Sequence, residues 1–271
     1  MRGDGVAPVA SVARMAWRNG DVEAGSRIVP EETPVALTYQ GSTQAVMMAT
    51  PADLEDFAVG FSLNEGFIAT PDDIASLEII ALPEGMELRM WLSAANARAF
   101  TERRRYLAGP TGCGLCGIDS LSEAIRQARP VGSTGSFTAD MIAQAMAAMA
   151  PAQTLNRETR AMHAAAYWQP DKGLVALRED VGRHNALDKL AGALARAGQA
   201  ASTGMILLTS RVSVEMVQKA AAMGAPVVVA VSAPTALAIR TADAAGMTLA
   251  AVAREGSFEI FCHPGRIIAA I

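Results

Sequence analysis

Met205-Ile206-Leu207-Leu208-Thr209 and Pro226-Val227-Val228-Val229-Ala230-Val231 are two short apolar runs. Between them, residues 214–223 have helical spacing and stop at Gly224. Short apolar runs bounded by turn signals read as buried strands. A helix between two of them makes a strand–helix–strand unit. Reading outward, residues 234–245 form a further helix stopped by Gly246, and 247–252 and 258–262 form closing strands. On the amino-terminal side lie a helix over 140–149, strands over 163–168 and 173–178 around Pro170-Asp171, and a helix over 184–197 ended by Gly198. The order α-β-β-α-β-α-β-α-β-β predicts a largely parallel sheet covered on both faces. Residues 136–271 therefore read as an α/β domain.

The preceding segment, 26–135, reads as a smaller α+β domain. Residues 36–49 suggest a hairpin around Gln40-Gly41-Ser42. Thr50 is placed as the N-cap of a helix with Pro51 in its first turn and Leu54, Phe57, Ala58 and Phe61 on its apolar face. Thr70-Pro71 repeats that start signal. Strands follow over 77–82 and 86–92 around Pro83-Glu84-Gly85. Residues 1–25 are weakly patterned, and the extreme start is expected to be mobile.

Composition narrows the function. Hydrophobic residues make up 51% of 271 positions, enough for a full core, and the net charge is −4. A basic footprint for nucleic acid is absent. No apolar run reaches about 18 residues, so no membrane helix is expected, and the first residues lack the charged-then-apolar pattern of a signal peptide. An odd set of three cysteines, two of them clustered, does not read as a secreted disulfide framework. The expectation is a soluble cytoplasmic protein.

Gly112-Cys113-Gly114-Leu115-Cys116-Gly117 brings two thiols within reach of one centre. Such a pair can supply half of a zinc site, cycle as a redox dithiol or carry a transferable sulfur. A zinc ribbon needs four ligands, and Cys262-His263 is remote and lacks a ligand spacing of its own. A reactive thiol needs exposure and positive charge, and Glu102-Arg103-Arg104-Arg105 lies just upstream. A loop with this many glycines is expected to be mobile over 108–118.

Three strand-to-helix junctions carry the remaining chemistry. The first is Glu179-Asp180-Val181-Gly182-Arg183-His184-Asn185, with Asp188-Lys189 one turn on. The second, Ser210-Arg211-Val212-Ser213, and the third, Ser232-Ala233-Pro234-Thr235, follow the next two strands. Hydroxyls, arginine and free N–H groups at helix starts suit a phosphate-bearing ligand, although helix capping alone also explains Ser213 and Thr235. Gly-x-x-x-x-Gly-Lys-Ser/Thr and Gly-x-Gly-x-x-Gly loops are both missing. The histidine and cysteine arrangement of zinc deaminases is missing too.

Taken together, Met48-Ala49-Thr50-Pro51, Gly60-Phe61, Asn64-Glu65-Gly66, the cysteine loop, Met162-His163-Ala164-Ala165, the 179–189 cluster and 210–219 resemble the FdhD family of formate dehydrogenase accessory sulfurtransferases. The resemblance runs from about residue 30 to the end. It implies a three-layer α/β/α carboxy-terminal domain similar in fold to cytidine deaminases. It implies a homodimer that takes sulfur from a cysteine desulfurase as a persulfide on Cys113, with Cys116 as companion. The sulfur then passes to the molybdenum cofactor, bis-molybdopterin guanine dinucleotide, before that cofactor enters formate dehydrogenase. No permanently bound metal is expected. Arg183, His184, Ser210, Arg211 and Ser213 are candidates for the cofactor's phosphates. Val252, Ala253, Arg254, Glu255, Gly256 and Ser257 are carried over as the segment that holds its guanine nucleotide end. Alternatives are a non-catalytic carrier of the cofactor or a zinc-stabilised scaffold. The chain departs from the family's pattern at Thr159-Arg160-Ala161, where glycines are usual, and at Val252, where an aromatic is common.

Overall fold

The computed structural model describes residues 6–97, 100, 127–132 and 135–268. Cys113, Cys116, the loop expected to be mobile and the upstream arginine run lie outside the described residues.

The carboxy-terminal sheet has six strands: β8 (His163–Gln169), β9 (Gly173–Asp180), β10 (Met205–Leu208), β11 (Val227–Ala230), β12 (Thr248–Arg254) and β13 (Ser257–Cys262). Their spatial order is β13-β12-β11-β10-β8-β9. Only the β10–β11 and β11–β12 pairs are parallel, and β8–β9, β10–β8 and β12–β13 run antiparallel. The expected largely parallel sheet is thus corrected to a mixed one. Periodicity identified the strands, but the tight turn at Pro170-Asp171 and the turn at Glu255-Gly256 reverse the chain, and a reversed chain can only pair antiparallel.

Helices cover both faces of this sheet. On one side α4 (Arg183–Arg196), α5 (Val214–Ala222) and α6 (Ala236–Ala244) pack Leu187, Leu190, Met216, Val217 and Ala238 against Tyr167, Ile206, Leu208 and Val228. On the other, α2 (Ala139–Ala152) packs Ile142, Ala145 and Met149 against Ala166, Leu207, Val229 and Ala250. The result is the expected α/β/α layering. A short helix α3 (Thr154–Thr159) leads into β8, and β7 (Phe137–Thr138) pairs in parallel with β14 (Ile267–Ile268).

The amino-terminal sheet contains β3 (Thr33–Tyr39), β4 (Ser42–Ala49), β5 (Ile74–Leu82) and β6 (Gly85–Leu92), in the order β4-β3-β6-β5. Helix α1 (Leu54–Asn64) lays Leu54, Phe57, Ala58 and Phe61 on Val35, Leu37, Leu88 and Met90. One expectation changes here. Thr70-Pro71 opens a single 3-10 turn, Pro71–Asp73, that runs straight into β5. Asp73 closes that turn by accepting from the N–H groups of Ala69 and Thr70, which holds its carboxyl below the usual range. The weakly patterned start carries strands from Val9 onward. β1 (Val9–Arg18) and β2 (Asp21–Pro30) form a long antiparallel hairpin around Asn19-Gly20. Its alternation is faint in the sequence because Ala, Ser and Gly dilute the apolar positions.

Helices α1 and α4 cross almost backbone to backbone. A Cβ on Gly60 would stand 1.7 Å from the carbonyl oxygen of Asp188, and one on Gly192 would stand 1.9 Å from that of Asp56. Only glycine fits at both points. The crossing brings Asp56 between Arg178 and Arg196 and places Asn64 against Asp188.

Candidate functional site

Beneath the strand ends lies a buried polar lattice. Asp180, the last residue of β9, and Lys189, on α4, are both fully buried and meet at 2.6 Å. Asp180 also accepts from the N–H of Thr50 (3.0 Å), the N–H of Gly182 (2.7 Å) and the side-chain amide of Asn185 (3.0 Å). The Lys189 ammonium donates to the Thr50 carbonyl at 2.9 Å and lies over the Phe57 ring. The Thr50 hydroxyl accepts from the N–H of Val181. Every charge here is paired and hydrogen-bonded, the condition for burying one.

Thr50 is therefore not the N-cap it resembled. Asp53 holds that position, in a left-handed conformation and without a side-chain cap. Its N–H and hydroxyl instead tie the amino-terminal segment to the Asp180 turn, and its carbonyl ties it to Lys189 of α4. A second buried pair lies beside it on α4, where Asp188, the residue before Lys189, accepts from Asn64 at 2.6 Å and from Lys219 of α5 at 2.6 Å. Glu179 points the other way and accepts from the N–H groups of Leu155 and Asn156, closing the start of α3. Thus much of the 179–189 cluster is architecture.

Above the lattice sits a more open, cationic group. Arg183 and His184 open α4, and Ser213 stands at the N-cap of α5. The Nε of Arg183 and the Oγ of Ser213 are buried atoms with no hydrogen-bond partner among the described residues. Buried polar atoms are seldom left unpaired, and each exception asks for an explanation. Thr235 differs: its hydroxyl accepts from the N–H of Ala238 and caps α6. Capping therefore accounts for Thr235 and not for Ser213.

Glu215 Oε2 faces His184 Nε2 at 2.8 Å. The neighbouring His184 holds the Glu215 carboxyl below its usual range, against the effect of burial. His163, at the start of β8, joins the group. Burial and then the charge of Arg183 push its pKa down, against the opposing pull of Asp180. Sequence reading missed His163 and Glu215 as members of this group. The β8–β9 register, which pairs His163 with Asp180, is what brings His163 in.

The other candidates are distributed along the same sheet edge. Ser210 is buried and donates to the Arg211 carbonyl, and Arg211 is exposed. Val252, Ala253, Arg254, Glu255, Gly256 and Ser257 form the end of β12, the turn and the start of β13. With α2 and Val231, most of them line a cavity of about 320 Å³. Three strands separate β12 from β9, so this cavity lies on the order of 19 Å along the edge from the Arg183 group. Val252 has φ 55°, a genuine outlier for a β-branched residue, at a bulge in the β12–β13 ladder. Arg160, one of the departures from glycine, has φ 58° and ends α3 in a left-handed cap.

A larger cavity, about 470 Å³, lies toward the opposite end of α4, lined by Asn64, Phe67, Phe100, Arg129, Leu194 and Met223 among others. Cys262 is buried, donates to the Met247 carbonyl and has its thiol pKa raised by burial. Among the described residues no group of three or more His, Cys, Asp or Glu side chains is placed to hold a metal ion. Among them, too, no helix is long and apolar enough to cross a membrane.

A mixed sheet covered by helices on both faces, with unpaired polar atoms at helix starts above its strand ends, defines an α/β protein with a polar candidate site at that edge. Comparison with known proteins supplies the family. Residues 30–268 match the model of the FdhD/NarQ family, and the chain belongs to that family. It is 55% identical over 258 residues to "Sulfur carrier protein FdhD" of Agrobacterium fabrum, covering 95% of each chain. It is 48% identical over 266 residues to the protein of the same name from Cupriavidus necator, covering 98% of this chain and 92% of that one. A crystal structure from Desulfotalea psychrophila, of a protein assigned as a formate dehydrogenase accessory protein, superposes with a TM-score of 0.76. It covers 96% of this chain and 99% of that one at 23% identity, which establishes the shared fold.

Proposed function

We propose that this protein is a cytoplasmic sulfur carrier serving formate dehydrogenase. The observation that carries this reading is near-full-length similarity, up to 55% identity among the relatives compared, to proteins named sulfur carriers. In this reading a cysteine desulfurase presents a persulfide, and the Cys113 thiolate attacks its outer sulfur. The old S–S bond breaks, the desulfurase thiolate leaves and Cys113 holds the new persulfide. Attack of the Cys116 thiolate on the Cys113 sulfur then releases hydrosulfide and leaves a Cys113–Cys116 disulfide, which a thiol reductant resets. The acceptor is the molybdenum cofactor, bis-molybdopterin guanine dinucleotide, as bound substrate. Its phosphates suit Arg183, His184, Ser213 and the nearby Ser210 and Arg211, and its guanine nucleotide end suits Val252 to Ser257. The protein acts as a homodimer.

Incubation with a cysteine desulfurase and cysteine, followed by peptide mass spectrometry, tests the transfer. One added sulfur on the Cys113 peptide is expected. An unmodified Cys113 under conditions where the desulfurase turns over would refute it.

The phosphate assignment makes a pH prediction. The pKa of His163 lies below its unfolded value, so its neutral form stabilises the free protein above the unfolded pKa. That contribution is lost as pH falls through the lowered folded value. A bound phosphate beside it reverses the preference, because an anion favours the charged ring. Affinity for GDP is therefore expected to rise as pH falls from about 7.5 to 6, with proton uptake, the range in which histidine titrates. Calorimetry in buffers of different ionisation enthalpy reads both. In His163→Gln the pH dependence should flatten. Equal dependence in wild type and variant would place the phosphates away from His163.

A further inference from the structure

The turn between β12 and β13 is built from an unexpected residue. Arg254 pairs with Ser257, so Glu255 and Gly256 alone make the loop, and both have positive φ, 50° and 79°. That is the pattern of a type I′ turn, where Asn, Asp or Gly ordinarily stands first. A glutamate there is strained, because its Cβ crowds the following carbonyl. Val252, three residues back, is strained in the same sense at φ 55°, beside a bulge. Strained backbone gathers at ligand clamps, and bulges re-aim side chains toward sites.

The cavity beside this turn supplies the reason. Its volume of about 320 Å³ is at the lower end for ligand sites. That is room for one ring system and not for a dinucleotide. Its walls are apolar, with Ile142 and Met146 from α2, Val231 after β11 and Phe258 from β13. Only two charged residues line it, Arg254 and Glu255. Arg254 turns its Nε to the Val231 carbonyl at 3.4 Å. The Glu255 carboxylate has no ion pair or hydrogen bond among the described residues. An ionised carboxylate only accepts. An apolar slot with a free carboxylate at its rim selects a flat ring that carries two N–H donors side by side on one edge.

We propose that Glu255 is the specificity-determining residue of this cavity and reads a 2-amino-oxopyrimidine edge, with the ring seated against Met146 and Phe258. The ring N–H and the 2-amino group each donate to one carboxylate oxygen. Guanine and pterin both present this edge, and the cofactor contains both. Adenine presents a bare ring nitrogen and no 2-amino group, so the carboxylate repels it. This rests on the reading that Val252 to Ser257 hold part of the cofactor, and it adds which residue chooses that part. The strain at Glu255 is what sets a long carboxylate at the rim in place of a short asparagine.

Calorimetry on the full chain tests the proposal with two sets of probes. GDP, IDP and ADP probe guanine, and pterin against lumazine, its 2-oxo counterpart, probes the pterin. In one set or the other, the ligand with the 2-amino group is expected to bind about tenfold or more tighter than ADP or lumazine, the scale of hydrogen bonds to a charged group. IDP, which keeps the ring N–H alone, should fall between GDP and ADP. Glu255→Gln should remove most of that margin, because its amide donates where the carboxylate accepted. Ala147→Trp, at an exposed position of α2 that lines the slot, should weaken binding about tenfold or more. Glu255→Asn should raise the unfolding midpoint while losing the same margin. Binding of neither GDP nor pterin would overturn both this proposal and the cofactor reading of the segment. Binding whose margin survives Glu255→Gln, binding that Ala147→Trp leaves unchanged, or a lower midpoint in Glu255→Asn would overturn the proposal alone.

Discussion

Lys189→Met is expected to destabilise the protein by about 3–5 kcal/mol, the cost of leaving a buried charge without its counter-ion. Asp180 would keep its contacts to Thr50, Gly182 and Asn185 but lose the ammonium at 2.6 Å. Natural domains hold only about 5–15 kcal/mol in all, so the variant should sit near the edge of folding. The loss should not stop at α4. Lys189 and Asp180 both hold Thr50, and Thr50 sits between β4 and α1. The amino-terminal sheet should therefore loosen with the carboxy-terminal one. Urea denaturation followed by tryptophan fluorescence and circular dichroism measures both. Asp180→Asn combined with Lys189→Met removes both charges and should recover part of the loss, because a neutral pair no longer strands a charge. A Lys189→Met variant within about 1 kcal/mol of wild type would mean that water or a shifted side chain already satisfies Asp180.

Cys113→Ser is expected to abolish activation of formate dehydrogenase in cells that depend on this protein. A serine hydroxyl neither ionises near neutral pH nor forms a persulfide, so the carrier function has no reduced version of itself to fall back on. Enzyme activity in extracts reads the result, and the purified variant should keep the wild-type unfolding midpoint. Cys116→Ser should give an equal or milder loss, since its thiol enters the second exchange and an external thiol can stand in for it. Full activation by Cys113→Ser would remove the persulfide from the mechanism and favour a carrier that only binds the cofactor.

Much of the architecture was legible in the sequence, and the reasons are local. Strand and helix identities from residue 138 onward follow from short apolar runs, helical spacing and the stopping glycines at 198, 224 and 246, all three of which adopt positive φ. Strand direction was not legible, because the period of a strand is the same whichever way its neighbour runs. The hairpin over Val9–Pro30 escaped for a different reason. Its apolar residues alternate, but Ala, Ser and Gly dilute the pattern, and the face they make has no core to meet within its own chain.

The site divides the same way. That Arg183, His184, Ser210, Arg211 and Ser213 share one sheet edge followed from the repeated strand-to-helix junctions, because parallel strands put their carboxyl ends together. Which of those side chains are engaged could not follow. Ser213 and Thr235 occupy equivalent positions in the sequence, yet Thr235 caps its helix and Ser213 is left unpaired. Thr50 carries every local sign of a cap and is instead a latch across 130 residues. By itself, the sequence determined most of the elements from residue 36 onward, their order and the family, because these depend on periodicity and on residue types at fixed local spacing. Only the tertiary structure decided the strand directions, the Asp180–Lys189–Thr50 latch, the glycine-tight crossing of α1 on α4 and the addition of His163 and Glu215 to the site. Each of these is a contact between residues far apart in the chain, and its energy comes from burial and pairing that no local pattern encodes.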